Sequence, residues 1–360
     1  MKAEVVLCVN LLGMPHFTWK FFWIVLFLLS CKNEKSLNGQ LMVDYAQTIL
    51  RSDPSEKSKE IIKLIKGQSL VDLGEVGPSE SLIAQGAEVF QTPWIKVQTM
   101  DDQTGWVQAW TLKPTYDQGD WLLQKRLICY FGKTLEMRRN VLLQNFTNVK
   151  TEEQFAKVWR ESCVLRDTFL QLQAKRPERG IQMQFDWLGT ALPGFIFQKD
   201  GMGEQPKLFA DFKIWQQKAL KTKGLQDDAF IQTYLLAFPK DSIESFFPAW
   251  KFQITETESA SQLGVGEHLK ILHQIDQALV SGLLFKSLLE ALKEQLLEDI
   301  YEKNIHYWQP KEKILKEITQ ILADPLTCLD SRERESLNIR RKMFEDPEGS
   351  GIVVNLRSGE

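Results

Sequence analysis

The sequence predicts an α+β protein with two folded parts, a small β-barrel followed by a mainly α-helical domain. Short apolar runs separated by turn-forming residues fill positions 40–114, whereas apolar residues at helical spacing dominate positions 115–360. The 360 residues are enough for more than one hydrophobic core. Hydrophobic residues make up 43% of the chain and charged residues 25%, which excludes a wholly disordered or collagen-like protein.

The charge balance argues against nucleic acid as a partner. The chain has 44 lysines and arginines against 47 aspartates and glutamates, so no basic excess is available to hold a phosphate backbone. Only four histidines and five cysteines are present, and no HExxH, paired CxxC or P-loop spacing occurs. We therefore expect neither a metal centre nor a cofactor.

The N-terminus carries a targeting pattern. Residues 21–29 (FFWIVLFLL) form an uninterrupted apolar run directly behind Lys20. A helix of nine residues spans about 14 Å, too little for a hydrocarbon core of about 30 Å, whereas a short apolar run behind a positive residue is typical of a secretory signal. The competing interpretation is an uncleaved anchor that reaches back through residues 5–14, but Pro15 and His16 interrupt it.

The apolar run ends in Leu28-Leu29-Ser30-Cys31, which resembles the lipobox of bacterial lipoproteins. The resemblance implies cleavage after Ser30, diacylation of Cys31, and attachment of the protein through that lipid to a membrane of the bacterial cell envelope. Residues 1–30 are then the signal peptide, with Met14 as a possible true start, and residues 31–39 are a polar tether. Three other cysteines remain in the mature chain, an odd number, so we expect no disulfide framework.

Five strand-length runs predict the barrel in residues 40–114. Turn formers such as Asp53-Pro54-Ser55 and Lys66-Gly67-Gln68 separate most of them. Within one run Ile95 and Val97 alternate with polar or aromatic neighbours, the period of a half-buried strand. The runs are residues 42–50, 60–65, 69–74, 94–99 and 106–112.

Four motifs in this stretch resemble those of bacterial SH3 (SH3b) domains, over about 75 of the 360 residues. Residues 46–55 (AQTILRSDPS) are similar to the opening A-x-x-L-N-V-R-S-G-P-S, and residues 62–68 (IKLIKGQ) to I-G-x-L-x-x-G. Residues 94–97 (WIKV) and 105–107 (GWV) then match W-Y-K-V and T-G-W-V. The resemblance implies a module at 40–114 that binds cell-wall peptides, or another envelope protein, or that packs beside an effector domain. Residues 76–92, which contain Gly77-Pro78-Ser79, are an insert where the family has a brief turn. A long loop of this kind either carries function or docks on a neighbouring domain.

The candidate binding surface of this module is aromatic and comprises Tyr45, Trp94, Trp106 and Trp110. A small barrel also needs indole area for its core, so Trp94 and Trp106 have a core or rim assignment as the alternative. Along the last predicted strand, alternation places Val107 and Ala109 inside and leaves Trp110 at the rim, near Tyr45.

Helices dominate after a hinge at residues 116–120. A capping-box pattern at Thr151 to Gln154 begins a helix whose apolar residues share one face. Further helices are predicted at 267–303, 311–322 and 332–344, a short hairpin within 182–197, and a terminal strand at 352–356. The apolar face of the first helix comprises Phe155, Val158, Trp159, Leu165, Phe169 and Leu172.

Catalytic patterns are absent from the helical part of the sequence. Cys163 falls in the middle of a predicted helix and Cys129 in an apolar run, so neither has the helix-opening position of an NlpC/P60 nucleophile. His268 and His273 are five residues apart, about 140° around a helix, and do not share a face. Two charged sets are expected to be solvated helix surfaces. They are Asp299 with Glu298 and Glu302, and Arg332, Arg334, Arg340, Arg341 and Lys342.

These observations favour a non-catalytic, lipid-anchored envelope protein that binds or scaffolds through its SH3b module and helical domain. The alternative is a cell-wall hydrolase, or an accessory to one, with its active site in the helical domain.

Overall fold

The computed structural model describes residues 39–85, 88–115, 120–175, 187–199, 206–255, 257–301 and 305–354. These residues form an antiparallel sheet followed by a helical region, so the predicted α+β class is confirmed. They divide into a sheet unit, residues 39–81 and 93–121, and a helical unit, residues 82–92 and 122–354. Cys31 and residues 116–119 of the predicted hinge lie outside the described residues.

The sheet has seven strands in the order β3-β2-β6-β5-β4-β1-β7, with β3 and β7 at its edges, so no pairing between those two strands closes it. Leu41, Leu50, Val97 and Val107 are almost completely buried on its inner side, because alternate positions of each strand face the same way. The strands are β1 (Gln40–Val43), β2 (Thr48–Arg51), β3 (Glu60–Leu64), β4 (Ser69–Gln85), β5 (Glu88–Thr99), β6 (Thr104–Gln108) and β7 (Leu112–Pro114).

Two predicted strands of this unit are interrupted by turns. The run 42–50 is broken by a turn at residues 44–47, where the Thr48 hydroxyl donates to the Tyr45 carbonyl at 2.7 Å. The run 106–112 is broken by a 3-10 turn at Ala109–Thr111, where the Thr111 hydroxyl donates to the Gln108 carbonyl at 2.8 Å. Threonine hydroxyl groups bond readily to nearby backbone carbonyls, and here these bonds replace the strand-to-strand hydrogen bonds that a continuous strand would make.

The insert at 76–92 is not a loop. Its residues extend β4 to Gln85 and begin β5 at Glu88, so the two strands form one long hairpin. Residues 82–92 of that hairpin belong to the helical unit, where Arg126 donates to the Gln91 carbonyl at 3.0 Å and the Tyr130 hydroxyl to the Gln91 side chain at 3.1 Å. Of the two roles weighed for the insert, these contacts support packing.

The helical unit contains ten helices and two short hairpins among the described residues. The helices are α1 (Trp121–Phe131), which begins in the sheet unit, α2 (Lys133–Thr147), α3 (Glu152–Ala174), α4 (Leu188–Ala191), α5 (Phe212–Ala219), α6 (Gln226–Ala237), α7 (Glu267–Ser281), α8 (Lys286–Tyr301), α9 (Lys311–Ala323) and α10 (Ser331–Met343). The hairpins are β8 (Phe195–Lys199) with β9 (Pro206–Ala210), and β10 (Lys251–Gln253) with β11 (Ser259–Ser261).

The helix predictions hold where caps and periodicity agree. Thr151 accepts from the Gln154 amide at 3.3 Å at the start of α3, and α9 and α10 match their predicted bounds within one residue. The predicted helix 267–303 is two helices, α7 and α8, separated at Gly282, whose φ of 155° favours glycine. The predicted terminal strand is wrong for residues 352–354, which are irregular, and 355–356 lie outside the described residues.

The core of the helical unit is rich in aromatic residues. Trp159 on α3 is edge-on to Trp215 on α5, with 4.7 Å between ring centroids, and to Phe230 on α6, at 5.1 Å.

A buried carboxylate, that of Glu317 on α9, caps the start of α7. It accepts from the backbone amides of Gly266 and Leu269, in place of an N-cap side chain from α7 itself. Within the described residues, no helix has the combination of length and apolarity required to cross a membrane.

Candidate functional site

A surface groove of about 300 Å³ in the sheet unit contains three of the four aromatic residues singled out from the sequence. Tyr45 comes from the β1–β2 turn and Trp110 from the 3-10 turn after β6, and their ring centroids are 4.5 Å apart at an interplanar angle of 50°. The groove is lined by Tyr45, Gln47, Thr48, Ile49, Arg51, Glu56, Trp94, Val107, Gln108, Trp110 and Thr111.

Backbone bonds fix the two turns that present this aromatic pair. The Asp44 amide donates to the Thr111 carbonyl at 2.8 Å, which ties the turn carrying Tyr45 to the turn carrying Trp110. Ala109, next to Trp110, is 1% exposed and is held in the core. Since the pair stands on ordered backbone, its edge toward the groove is preorganised for contact with a ligand.

A hydrogen-bonded chain of polar side chains runs from the aromatic pair along the groove. The Trp110 indole Nε1 donates to the Gln108 Oε1 at 3.1 Å, and the Gln108 Nε2 donates to the Glu56 Oε1 at 3.2 Å. Arg51 donates to the Ser58 carbonyl at 2.8 Å and pairs with Glu60 at 3.5 Å. The groove thus contains an aromatic surface, an amide, a carboxylate and a guanidinium, a set suited to polar recognition.

The four aromatic residues predicted from sequence have three different environments. Tyr45 is 40% exposed and Trp110 is half-buried at the groove surface, whereas Trp94 is 2% exposed and forms its floor. Trp106 lies outside the groove, half-buried on β6, with the Lys96 ammonium 5.8 Å from its ring centroid. Val107 and Ala109 are buried as predicted, but Trp110 owes its position to the 3-10 turn and not to strand alternation.

Sequence reasoning missed the polar side of the groove. Ile49 and Arg51 alternate with the buried Thr48 and Leu50 along β2, so period-two alternation was the signal that could have placed them on one exposed face. Glu56 comes from the β2–β3 loop and meets Gln108 across 52 residues of sequence. No local pattern reports a contact of that separation.

Cys163 and Cys328 of the helical unit are partly buried thiols that pack against its core. Burial raises the pKa of the Cys163 thiol to about 12, and Cys163 sits in mid-helix on α3 as predicted. Burial, reinforced by the nearby Asp276 carboxylate, also raises the pKa of Cys328 to about 12. Cys129 is buried, and Cys163 and Cys328 are free thiols. A nucleophilic cysteine needs the opposite shift, toward the thiolate.

A serine, a histidine and an aspartate meet in the helical unit, and the expectation that Asp299 is solvated is wrong. Asp299 on α8 is 2% exposed; its Oδ2 accepts from the Ser261 hydroxyl at 2.6 Å and lies 3.0 Å from the His268 Nε2. Lys251 pairs with the other carboxylate oxygen at 3.2 Å. Buried charges require such partners, which only the folded chain supplies. The neighbouring Glu298 is exposed as expected, and Glu302 lies outside the described residues.

This cluster lacks the arrangement of a hydrolytic triad. Ser261 and His268 are 0% exposed, and the serine donates to the aspartate, whereas a triad serine donates to the histidine. His268 and His273 are separated as predicted, since His273 pairs with Asp324 at 3.0 Å. Among the described residues, no group of histidine, cysteine and carboxylate side chains could hold a metal ion.

The arginines of α10 also differ from expectation, since two of them are structural. Arg340 is 3% exposed and donates to the Ile300 carbonyl and the Tyr307 hydroxyl, both at 2.8 Å. Arg334 donates to the carbonyls of Leu322, Asp324 and Leu326 around the end of α9. Arg341, paired with Glu345 at 3.1 Å, fits the predicted salt-bridge surface.

No protein-family model, no curated protein and no solved structure matches this chain.

Proposed function

We propose that this protein is a non-catalytic, lipid-anchored protein of the bacterial cell envelope, and that its sheet unit is an SH3b-type module that binds a peptide. The Tyr45–Trp110 groove carries the proposal, because it combines an aromatic pair on ordered turns with polar groups along one side. The four SH3b-like motifs support the assignment of the module, and the lipobox-like residues ending at Cys31 support the anchor.

The ligand class follows from the chemistry of the groove. The faces of Tyr45 and Trp110 suit aliphatic stems and peptide planes. Glu56 and Arg51 place one acceptor and one donor of opposite charge along the same groove. A cell-wall peptide carries both carboxylates and amines, so it satisfies both. A segment of another envelope protein with the same charges is the second ligand that fits.

Removal of Trp110 tests the binding role. Trp110→Ala in the full chain should weaken binding of a purified cell-wall muropeptide by about 5- to 150-fold, since an aromatic contact at a binding site contributes about 1–3 kcal/mol. Isothermal titration of the detergent-solubilised protein measures this. Trp106→Ala is the matched control, a tryptophan of the same strand region outside the groove. Equal affinities of both variants and the parent protein, or no binding by the parent, would contradict the peptide-binding role.

Removal of the acylated thiol tests the anchor. Cys31→Ala should abolish labelling by a fatty-acid analogue and move the protein from the detergent-soluble membrane fraction to the soluble envelope fraction. The readouts are in-gel detection of the label and a fractionation blot. Cys163→Ala, which alters a different and buried thiol, should leave both unchanged. Full membrane retention of Cys31→Ala would favour an uncleaved anchor.

A further inference from the structure

Four aliphatic side chains are exposed on two neighbouring connections of the helical unit. Leu220 and Leu225 lie on the connection between α5 and α6, and they are 70% and 75% exposed. Val280 and Leu283 lie where α7 leads into α8, and they are 76% and 70% exposed. Clusters of exposed apolar side chains mark interaction sites, whereas single ones are ordinary.

The two connections are joined by hydrogen bonds. The Gln226 Oε1 accepts from the Leu284 amide at 3.1 Å, and Gln226 directly follows Leu225 as Leu284 directly follows Leu283. At Gly282 a Cβ atom would overlap the Gln226 side chain, so the chain passes close against it. These contacts bring Leu225 and Leu283 close together, and Leu220 and Val280 lie within five residues of them along the chain; we call these four residues the aliphatic corner.

Hydrogen bonds hold the backbone of the connection that carries Leu220 and Leu225. The Thr222 hydroxyl donates to the buried Asp227 at 2.7 Å, and the Lys223 amide donates to the Lys150 carbonyl at 3.1 Å. Gln226 is also held by Glu152, whose carboxylate accepts from the backbone N–H of Gln226 at 3.0 Å. Leu220 and Leu225 are therefore exposed on a turn whose backbone is held in place by hydrogen bonds.

Positive charge surrounds the aliphatic corner. Lys221 and Lys223 lie between the two leucines of one connection, and Lys150 adjoins Lys223; all three are exposed. Within the part of the chain that the structure describes, none of the three forms an ion pair. Of the carboxylates within residues 150–153 and 220–228, Glu152 is bonded to Gln226 and Asp227 is buried, which leaves Glu153 and Asp228 against the lysines.

We propose that the aliphatic corner inserts into the interface of an anionic lipid membrane, with its lysines against the headgroups; this rests on the membrane location proposed above. Aliphatic side chains beside lysines are the composition that binds anionic bilayers. Protein interfaces instead enrich aromatic residues and arginine and deplete lysine. The occupant that fits the corner is thus a lipid surface.

Site-specific photocrosslinking tests this in the full acylated chain on vesicles of phosphatidylcholine with phosphatidylglycerol. Leu225→p-benzoylphenylalanine and Leu283→p-benzoylphenylalanine should each give about tenfold more lipid adduct than Ile65→p-benzoylphenylalanine. Ile65 is the matched control, because it is 75% exposed on the sheet unit. The adducts are quantified by mass spectrometry, which also reports whether Cys31 is acylated.

The charge requirement is tested in the same crosslinking sample. Lys221→Gln with Lys223→Gln should lower the Leu225 adduct about fivefold per lysine on the anionic vesicles and leave it unchanged on pure phosphatidylcholine. Equal adducts at positions 65 and 225, cross-links to a second protein chain, or a signal indifferent to anionic lipid would each overturn the proposal. A missing acyl group on Cys31 would instead count against the anchor. Trp110→Ala removes a contact of the groove, which lies in the sheet unit, and should leave the lipid adducts unchanged.

Discussion

The sheet unit has an aromatic pair at its surface, whereas the central aromatic cluster of the helical unit is buried. In the helical unit Trp159, Trp215 and Phe230 pack edge to face and are at most 4% exposed. In the sheet unit Tyr45 and Trp110 pack together at a comparable 4.5 Å but at the surface, where they line a groove. A high aromatic content is therefore no sign of binding by itself. The two units differ in whether the faces of their paired aromatic rings are accessible to solvent.

Charged side chains follow the same division. In the helical unit Asp299, Glu317 and Arg340 are at most 3% exposed, and their bonds go to the serine, amides and carbonyls described above. In the sheet unit Arg51 and Glu56 line the groove. Buried charges that bond to neighbouring elements hold those elements together, while an exposed carboxylate such as Glu56 can meet a ligand.

The largest expected effect is the loss of the buried carboxylate at Asp299. Asp299→Ala leaves Ser261, His268 and Lys251 without their common partner, and removing one member of a buried ionic cluster costs about 3–5 kcal/mol. Urea denaturation followed by circular dichroism measures the free energy of unfolding. This substitution tests whether the charges of the helical unit are structural.

The neighbouring residue supplies the control for that measurement. Glu298 is exposed on the same helix, so Glu298→Ala should change the free energy of unfolding by about 0.5 kcal/mol or less. If Asp299→Ala also lowers the free energy of unfolding by only about 0.5 kcal/mol or less, the Asp299 cluster contributes little. The contrast drawn between the two units would then fail for charged residues.

Helix position and sheet interior could be predicted from local sequence because they depend on near neighbours. The bounds of α9 and α10 follow from apolar periodicity, and the inward positions of Val107 and Ala109 follow from strand alternation. The turn at residues 44–47 combines a local bond, from the Thr48 hydroxyl to the Tyr45 carbonyl, with the Asp44–Thr111 bond, which joins residues far apart in sequence and has no local signal.

Distant partners also explain why the functional features were only partly predicted. Tyr45 and Trp110 could be singled out as aromatic residues, but their pairing needs two turns brought together by folding. Asp299 looked solvated beside Glu298 because its partners come from β10, β11 and α7. The insert at 76–92 looked like a loop because of Gly77-Pro78, yet strand pairing overrides that local signal.

The second expected effect concerns thiol reactivity in the helical unit. Because burial raises the pKa of Cys163 and of Cys328 from about 9 to about 12, the thiolate fraction of each at pH 8 is about a thousandfold below that of an ordinary cysteine. Iodoacetamide should modify both correspondingly slowly in the native protein and at ordinary rates in urea, as mass spectrometry of the two peptides will show. Rapid native alkylation at Cys163 would restore a nucleophile to the helical unit and weaken the non-catalytic proposal.

The smallest expected effect is on the stability of the sheet unit when its groove tryptophan is removed. Trp110 keeps one face toward the groove and gains from its contact with Tyr45 and its bond to Gln108, so Trp110→Ala should cost about 1 kcal/mol of unfolding free energy. Trp94, 2% exposed on the groove floor, supplies the comparison, because Trp94→Ala empties a core site and should cost about 3–5 kcal/mol. Thermal melts of the two variants against the parent protein measure the difference. If Trp110→Ala is as destabilising as Trp94→Ala, its indole is a core group, the two units do not differ in how they use aromatic residues, and the recognition surface assigned to the groove must be abandoned.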